Sequence, residues 1–93
     1  METEEIYKRM IEKFGKEAQT IVAIEELSEL QKELCKYLRD LKNGLHRDIS
    51  SIVEEIADVK IMLEQLELIF DCDLLVVNEM AKKLQRTEKK YLK

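Results

Sequence analysis

The residues of this chain best suited to do chemistry are carboxylates set one helical turn apart. One group is Glu25-Glu26-Leu27-Ser28-Glu29, and a second is Glu54-Glu55-Ile56-Ala57-Asp58. On a helix turning about 100° per residue, Glu26 and Glu29 lie about 60° apart in rotation and one turn apart along the axis, so they project together. Glu55 and Asp58 do the same. If the two segments pack antiparallel, four carboxylates converge on one point. Four like charges repel one another and are costly to bury without compensation. A divalent cation removes both penalties. Oxygen donors suit Mg²⁺ or Mn²⁺, and no His or Cys stands where it would favour zinc. Mg²⁺ usually keeps waters and shares its coordination with substrate phosphates, so an all-carboxylate site suits phosphoryl chemistry.

Spacing alone is weak support. With 20 acidic residues among 93, about four acid pairs at i,i+3 arise by chance. Glu2/Glu5 and Glu64/Glu67 are two such pairs. Solvated Glu/Lys faces are the bland account of any one of them. What favours a site is that both pairs fall beside the apolar stripes of the two longest helical segments. Other residues invite simpler readings. His46, next to Arg47 in a loop segment, reads as solvated. Met62, Met80 and Cys35 read as core or interface fillers. Gln19 could touch a nucleotide, but a surface helix Gln is the default. Tyr37 and Phe70 could line a base pocket, with core packing the simpler account.

The elements that must position the carboxylates are helices. Gly15, Asn43-Gly44 and Asp71-Cys72-Asp73 are the clear punctuation, and between them the apolar pattern has a helical period. Residues 3–13 read as a short first helix with Ile6, Met10 and Phe14 on one side. Residues 16–42 read as a long second helix with the stripe Ile24, Leu27, Leu34, Leu38 and Leu41, widened by Leu30 and Tyr37. Asn43-Gly44 is a suitable stop. Asp48 or Ser51 can cap a third helix running to about Phe70, with the stripe Ile49, Ile52, Ile56, Val59, Leu63, Leu66 and Phe70. Asp73 can cap a fourth, running to about Tyr91 with Leu74, Val77, Ala81 and Leu84 inward. The expectation is one all-α domain over 1–93: a short N-terminal helix, two long antiparallel helices and a C-terminal helix, assembled as an oligomeric bundle.

Composition narrows the function classes. Two Gly and no Pro argue against an all-β domain, and 5% aromatics with no Trp argue against a stacking surface for nucleic acid. No run of 18 apolar residues exists, so no membrane span is expected. The charged first fifteen residues argue against a secretory signal, and two Cys without a CxxC suit reduced thiols, so a cytoplasmic location is expected. Residues 1–78 carry 10 basic and 18 acidic side chains. Residues 79–93 carry Lys82, Lys83, Arg86, Lys89, Lys90 and Lys93 against Glu79 and Glu88. A metal at the acidic body and phosphate at the basic end would use that asymmetry, although cations near a helix C-terminus are also favoured by the macrodipole.

At these residues the chain resembles the MazG-like nucleoside triphosphate pyrophosphohydrolases, whose signature is EExxE, a spacer, then ExxD. Here it reads Glu25-Glu26-Leu27-Ser28-Glu29, 25 residues, then Glu55-Ile56-Ala57-Asp58. Phe14-Gly15-Lys16-Glu17-Ala18-Gln19 leads into the first motif as in small MazG-like proteins, and Lys83-Leu84-Gln85-Arg86-Thr87-Glu88-Lys89-Lys90-Tyr91 resembles the family's closing KLxxNxxRY-type segment. The likeness spans roughly residues 14–91. It implies that Glu26, Glu29, Glu55 and Asp58 bind Mg²⁺, and that Glu25 is an extra acid holding a second metal or orienting the attacking water. It implies that Lys83 and Arg86 lie near the substrate phosphates. Thr87 and Lys90 depart from the Asn and Arg of many relatives, and Lys90 cannot make a bidentate guanidinium contact.

The implied reaction is hydrolysis of an NTP or dNTP to the monophosphate and pyrophosphate, with nucleotide-pool house-cleaning as the role. The implied assembly is a homodimer or homotetramer with its site near a subunit interface. Alternatives are a phosphoribosyl-ATP pyrophosphatase-like enzyme, which shares the acidic logic, and a non-enzymatic helical oligomer acting by protein–protein contact.

Overall fold

Each break in the helical pattern has a backbone reason. Gly15 takes φ 93°, ends the first helix by donating its N–H to the Ile11 carbonyl, and starts the second in the next residue. Gly44 takes φ 73°, and bonds from Gly44 N to Leu41 O and Leu45 N to Asp40 O close the second helix in a Schellman-type end. The third helix ends the same way. Asp71 takes the left-handed conformation at φ 50°, and Cys72 N reaches back to Glu67 O. The computed structural model describes residues 1–46 and 48–92; Arg47 and Lys93 lie outside them. It holds α1 (Thr3–Phe14), α2 (Lys16–Lys42), α3 (Ser50–Ile69) and α4 (Asp73–Tyr91), with no strand among the described residues. The all-α, four-helix expectation is met, with boundaries shifted by one or two residues.

The capping expectations are refined. Asp48 does serve the start of α3, accepting bonds from the backbone N (3.1 Å) and hydroxyl (2.7 Å) of Ser50. It does so from two residues upstream, as an Asx-type turn, with Ile49 in the cap position. Ser51 lies inside the helix. Asp73 is the first residue of α4, and Cys72 takes the cap position.

The hairpin of α2 and α3 is the main packing unit; α1 lies against both, and α4 packs only against α3 among the described residues. The seam of that hairpin matches the predicted stripes only in part: Leu30 and Tyr37 on α2 and Ile52, Val59 and Leu66 on α3 lie in it. On α2 the covered positions include Gln19, Ala23, Glu26, Leu30, Glu33, Tyr37 and Asp40. On α3 they include Ile52, Glu55, Val59, Met62, Leu66 and Ile69, with Gln65 beside them. Ala23, Val59 and Met62 are its buried apolar core. Ile24, Leu27, Leu34, Leu38 and Leu41 face outward instead, as do Ile49, Ile56, Leu63 and Phe70. So do Ile6, Met10 and Phe14 on α1 and Leu74, Val77 and Leu84 on α4. Both long helices thus carry two faces, a mixed polar–apolar seam within the chain and a more apolar row outside it. Periodicity alone selects the more apolar of the two. Cys35 is exposed and Cys72 half-buried, both as free thiols.

Candidate metal centre

The seam brings carboxylates from two helices together. Oxygens of Glu26 on α2 and of Glu55 and Asp58 on α3 all lie within 4.8 Å of one another. Glu26 and Glu55 are half-buried because they occupy seam positions, whereas Asp58 stands at the exposed edge. Ala23, one turn before Glu26, supplies the small side chain that lets α2 approach α3 here.

Electrostatics marks this as a strained arrangement for the protein alone. Burial pushes the Glu26 carboxyl above its ordinary value. Asp58, both as a like charge and as a hydrogen-bond partner, pushes it further, and Glu55 and Glu29 add to the effect. Burial also raises Glu55, followed by the charges of Asp58, Glu29, Glu33 and Glu54. One oxygen of Glu55, Oε2, is buried with no hydrogen-bond partner. A buried acceptor left unpaired costs free energy, and a cation bound by the neighbouring carboxylates would satisfy it. The donor set is all oxygen and all acidic, which fits Mg²⁺ or Mn²⁺ rather than zinc or copper.

Of the four expected ligands, three converge. Glu29 is exposed and lies outside the close group, near enough to raise the carboxyls of Glu26 and Glu55 by its charge. Glu25 is exposed on α2 and is not a member of the group. Lys83 and Arg86 are not brought to the carboxylates. With Thr87, Lys90 and Tyr91 they line a groove on α4, whose packing is against α3 alone. Lys90 lies over the Tyr91 ring, 5.2 Å from its centre.

Two residues, Glu33 and Gln65, escaped the sequence reading, which places Gln19 on the surface. Glu33 sits in the seam two turns beyond Glu26, acts on Glu55, and pairs with Lys36 at 3.7 Å. Gln19 and Gln65 are buried rather than surface residues, and Gln19 Nε2 donates to Gln65 Oε1 at 2.8 Å across the seam. The available clue was spacing: Gln19 and Glu33 each lie seven residues from Glu26, and Gln65 lies seven from Asp58, so each repeats the face of a site residue after two turns. His46 is exposed, as expected of a loop residue.

No protein-family model matches the chain, and neither a curated protein nor a solved structure matches it.

Proposed function

We propose that the chain is a Mg²⁺-dependent nucleoside triphosphate pyrophosphohydrolase of the MazG-like kind, converting an NTP or dNTP to its monophosphate and pyrophosphate in nucleotide-pool house-cleaning. The observation that carries this reading is the meeting of Glu26, Glu55 and Asp58 across two helices with one Glu55 oxygen buried and unpartnered. These three residues hold the cation, Mn²⁺ serving as a substitute, and Glu29 stands beside them on the open side. When bound, the cation supplies charge neutralisation on the phosphates and a more acidic water. Glu25, exposed and one residue from Glu26, is the acid available to orient that water or to hold a second ion. Lys83 and Arg86 bind the phosphates, which requires a second copy to bring α4 across.

Exposed area supports that second copy. A folded monomer of this mass exposes about 5,600 Å², whereas this chain exposes 7700 Å². Its Cα radius of gyration is 16.7 Å, against about 12 Å for a compact domain of this length. The outward rows of α2, α3 and α4 are apolar enough to close such an interface. The assembly is a homodimer or homotetramer, and free Cys35 and Cys72 suit a cytoplasmic setting. No described helix is long and apolar enough to cross a membrane. A helical oligomer acting by contact alone would use the same outward rows. It gives no role to the unpartnered Glu55 oxygen.

The test is a pyrophosphate-release screen over canonical and modified nucleotides with Mg²⁺, repeated with Glu29→Gln and Asp58→Asn. Both substitutions should abolish turnover while the helical circular-dichroism signal persists. Equal turnover by the variants removes the assignment.

A further inference from the structure

The apolar part of the hairpin seam does not by itself fix how far α2 and α3 slide past one another. On α2 the covered residues Ala23, Leu30 and Tyr37 recur every seven positions, and on α3 Ile52, Val59 and Leu66 do the same. Seven residues are two helical turns, about 10.5 Å, so a slip of that length sets the apolar rows against each other again. The polar residues break this equivalence. Gln19 and Gln65 are 4% and 3% exposed, and Gln19 Nε2 donates to Gln65 Oε1 at 2.8 Å. Seven residues on along α2 and seven back along α3, the same register sets Glu26 opposite Asp58, with oxygens within 4.8 Å. Antiparallel helices matched at one pair are therefore matched at the other. The competing slip brings Gln65 opposite Glu26, Asp58 opposite Glu33, and Gln19 opposite Cys72, beyond the end of α3. It also brings Lys42 level with Ile49, so the link between the helices does not oppose it. What opposes it is the lost amide bond, because a deeply buried amide is costly to leave unpaired.

We propose that the Gln19–Gln65 bond locks the register of the hairpin and is the positioning pair of the cation site, holding Glu26 opposite Asp58 and Glu55 without touching the ion. The inference rests on the Mg²⁺ reading for what the acids bind, and on the seam alone for how they are brought together. Fixing register is the best-attested use of a buried polar pair between helices, and it is obtained at some loss of stability. That trade is present here. Of the five buried side chains among the described residues, Ala23, Val59 and Met62 are apolar and the other two are these amides. Apolar side chains of the same length would fill the two positions without burying polar atoms.

The test reads the register directly in the full chain. Arg39 on α2 and Lys60 on α3 are exposed. Spin labels on cysteines at these positions, with Cys35→Ala and Cys72→Ala and the labelled chain diluted into unlabelled protein, report the α2–α3 distance in EDTA by pulsed electron resonance. The unaltered seam should give one distance. Gln19→Met/Gln65→Met keeps the seam filled and leaves no buried amide, so it should melt no lower. It should add a second, shorter distance and, unlabelled, bind Mn²⁺ about tenfold or more weakly by calorimetry. Gln65→Glu keeps the acceptor that Gln19 Nε2 needs and should keep the single distance. A single unshifted distance in the Met pair overturns the proposal whatever its affinity, since amides that only stabilise would lower the melting temperature and leave the register alone. A second distance with unchanged Mn²⁺ affinity, or two distances in Gln65→Glu, also overturns it. Should the Met pair fail to fold, Gln19→Leu/Gln65→Leu is read by the same outcomes. If the unaltered chain binds no Mn²⁺, the enzyme reading fails, and the distances alone sustain or overturn the lock.

Discussion

Glu26 on α2 and Asp58 on α3 face each other across the hairpin with carboxylate oxygens within 4.8 Å, and Asp58 is the strongest charge acting on Glu26. Burial, and then the Asp58 charge, hold the Glu26 carboxyl above its ordinary value. The pair is therefore a weak point of the metal-free fold and a preformed half of a cation site.

Stability should carry the signature of that pair. A carboxyl raised in the folded state favours folding while it is protonated. Its contribution is fully present below its unfolded value of 4.5, and is lost as pH rises through the higher folded value. In EDTA, unaltered protein and Glu26→Gln should melt at similar temperatures in acid. The variant should then become progressively the more stable as pH rises. Mn²⁺ at neutral pH should close or reverse that gap by stabilising only the unaltered chain. Thermal melts across pH, with and without metal, decide it; a gap that stays constant with pH would falsify the pairing.

Metal affinity should rank the acids by position. Asp58 belongs to the close group and Glu29 stands outside it. Glu29→Gln should weaken Mn²⁺ binding about 10- to 100-fold, as loss of a supporting group does, and Asp58→Asn should weaken it further. Calorimetry on the two variants measures the order. The reverse order would place Glu29 directly on the ion and move Asp58 outward.

The helices were legible in the sequence because Gly15, Gly44 and the Asp71 turn stand where the chain reverses, and nothing else interrupts a helical period. The paired acids were legible too, since i,i+3 spacing is enough to put them on one face. The seam was legible only in part. Ile24, Leu27, Leu34 and Leu38 outweigh Gln19, Ala23, Glu26 and Glu33 in any apolar count, yet the second set packs inside the chain. A helix with two working faces has no single stripe, and apolar period cannot say which face meets its own chain. For the same reason Gln19 reads as a surface residue until α3 supplies Gln65.

The outward rows should hold copies together. Sedimentation should give at least twice the chain mass. Leu38 (64% exposed) and Leu84 (65% exposed) lie on those rows. Leu38→Glu combined with Leu84→Glu should shift the protein to monomer while metal binding by the single chain persists. A monomer in the unaltered protein would leave Lys83 and Arg86 without a route to the acids.

The turn into α4 should accept improvement. Asp71 holds φ 50°, a conformation that costs an L-residue about 1 kcal/mol or more relative to glycine. Asp71→Gly should raise stability by up to about 1 kcal/mol in urea unfolding, the gain being reduced by the greater freedom of the unfolded chain. A loss would mean that the Asp71 side chain contributes more than its strain.

The spacing of α2 and α3 at the site depends on Ala23, only 2% exposed and one turn from Glu26. Ala23→Leu adds three carbons where the helices meet, and overpacking of this kind costs about 1–3 kcal/mol. Met62→Ala, one turn beyond Val59, removes buried volume instead and costs about 2–5 kcal/mol. The two substitutions should therefore separate stability from geometry. Met62→Ala should lower the melting temperature more and leave Mn²⁺ affinity nearly intact, because a cavity does not push Glu26 away from Asp58. Ala23→Leu should lower Mn²⁺ affinity more, because wedging the helices apart lengthens the reach between carboxylates that now lie within 4.8 Å. Melting curves and metal titrations on both variants test this. If affinity instead falls in step with stability in both, the site depends on overall fold strength and not on the close approach that Ala23 permits.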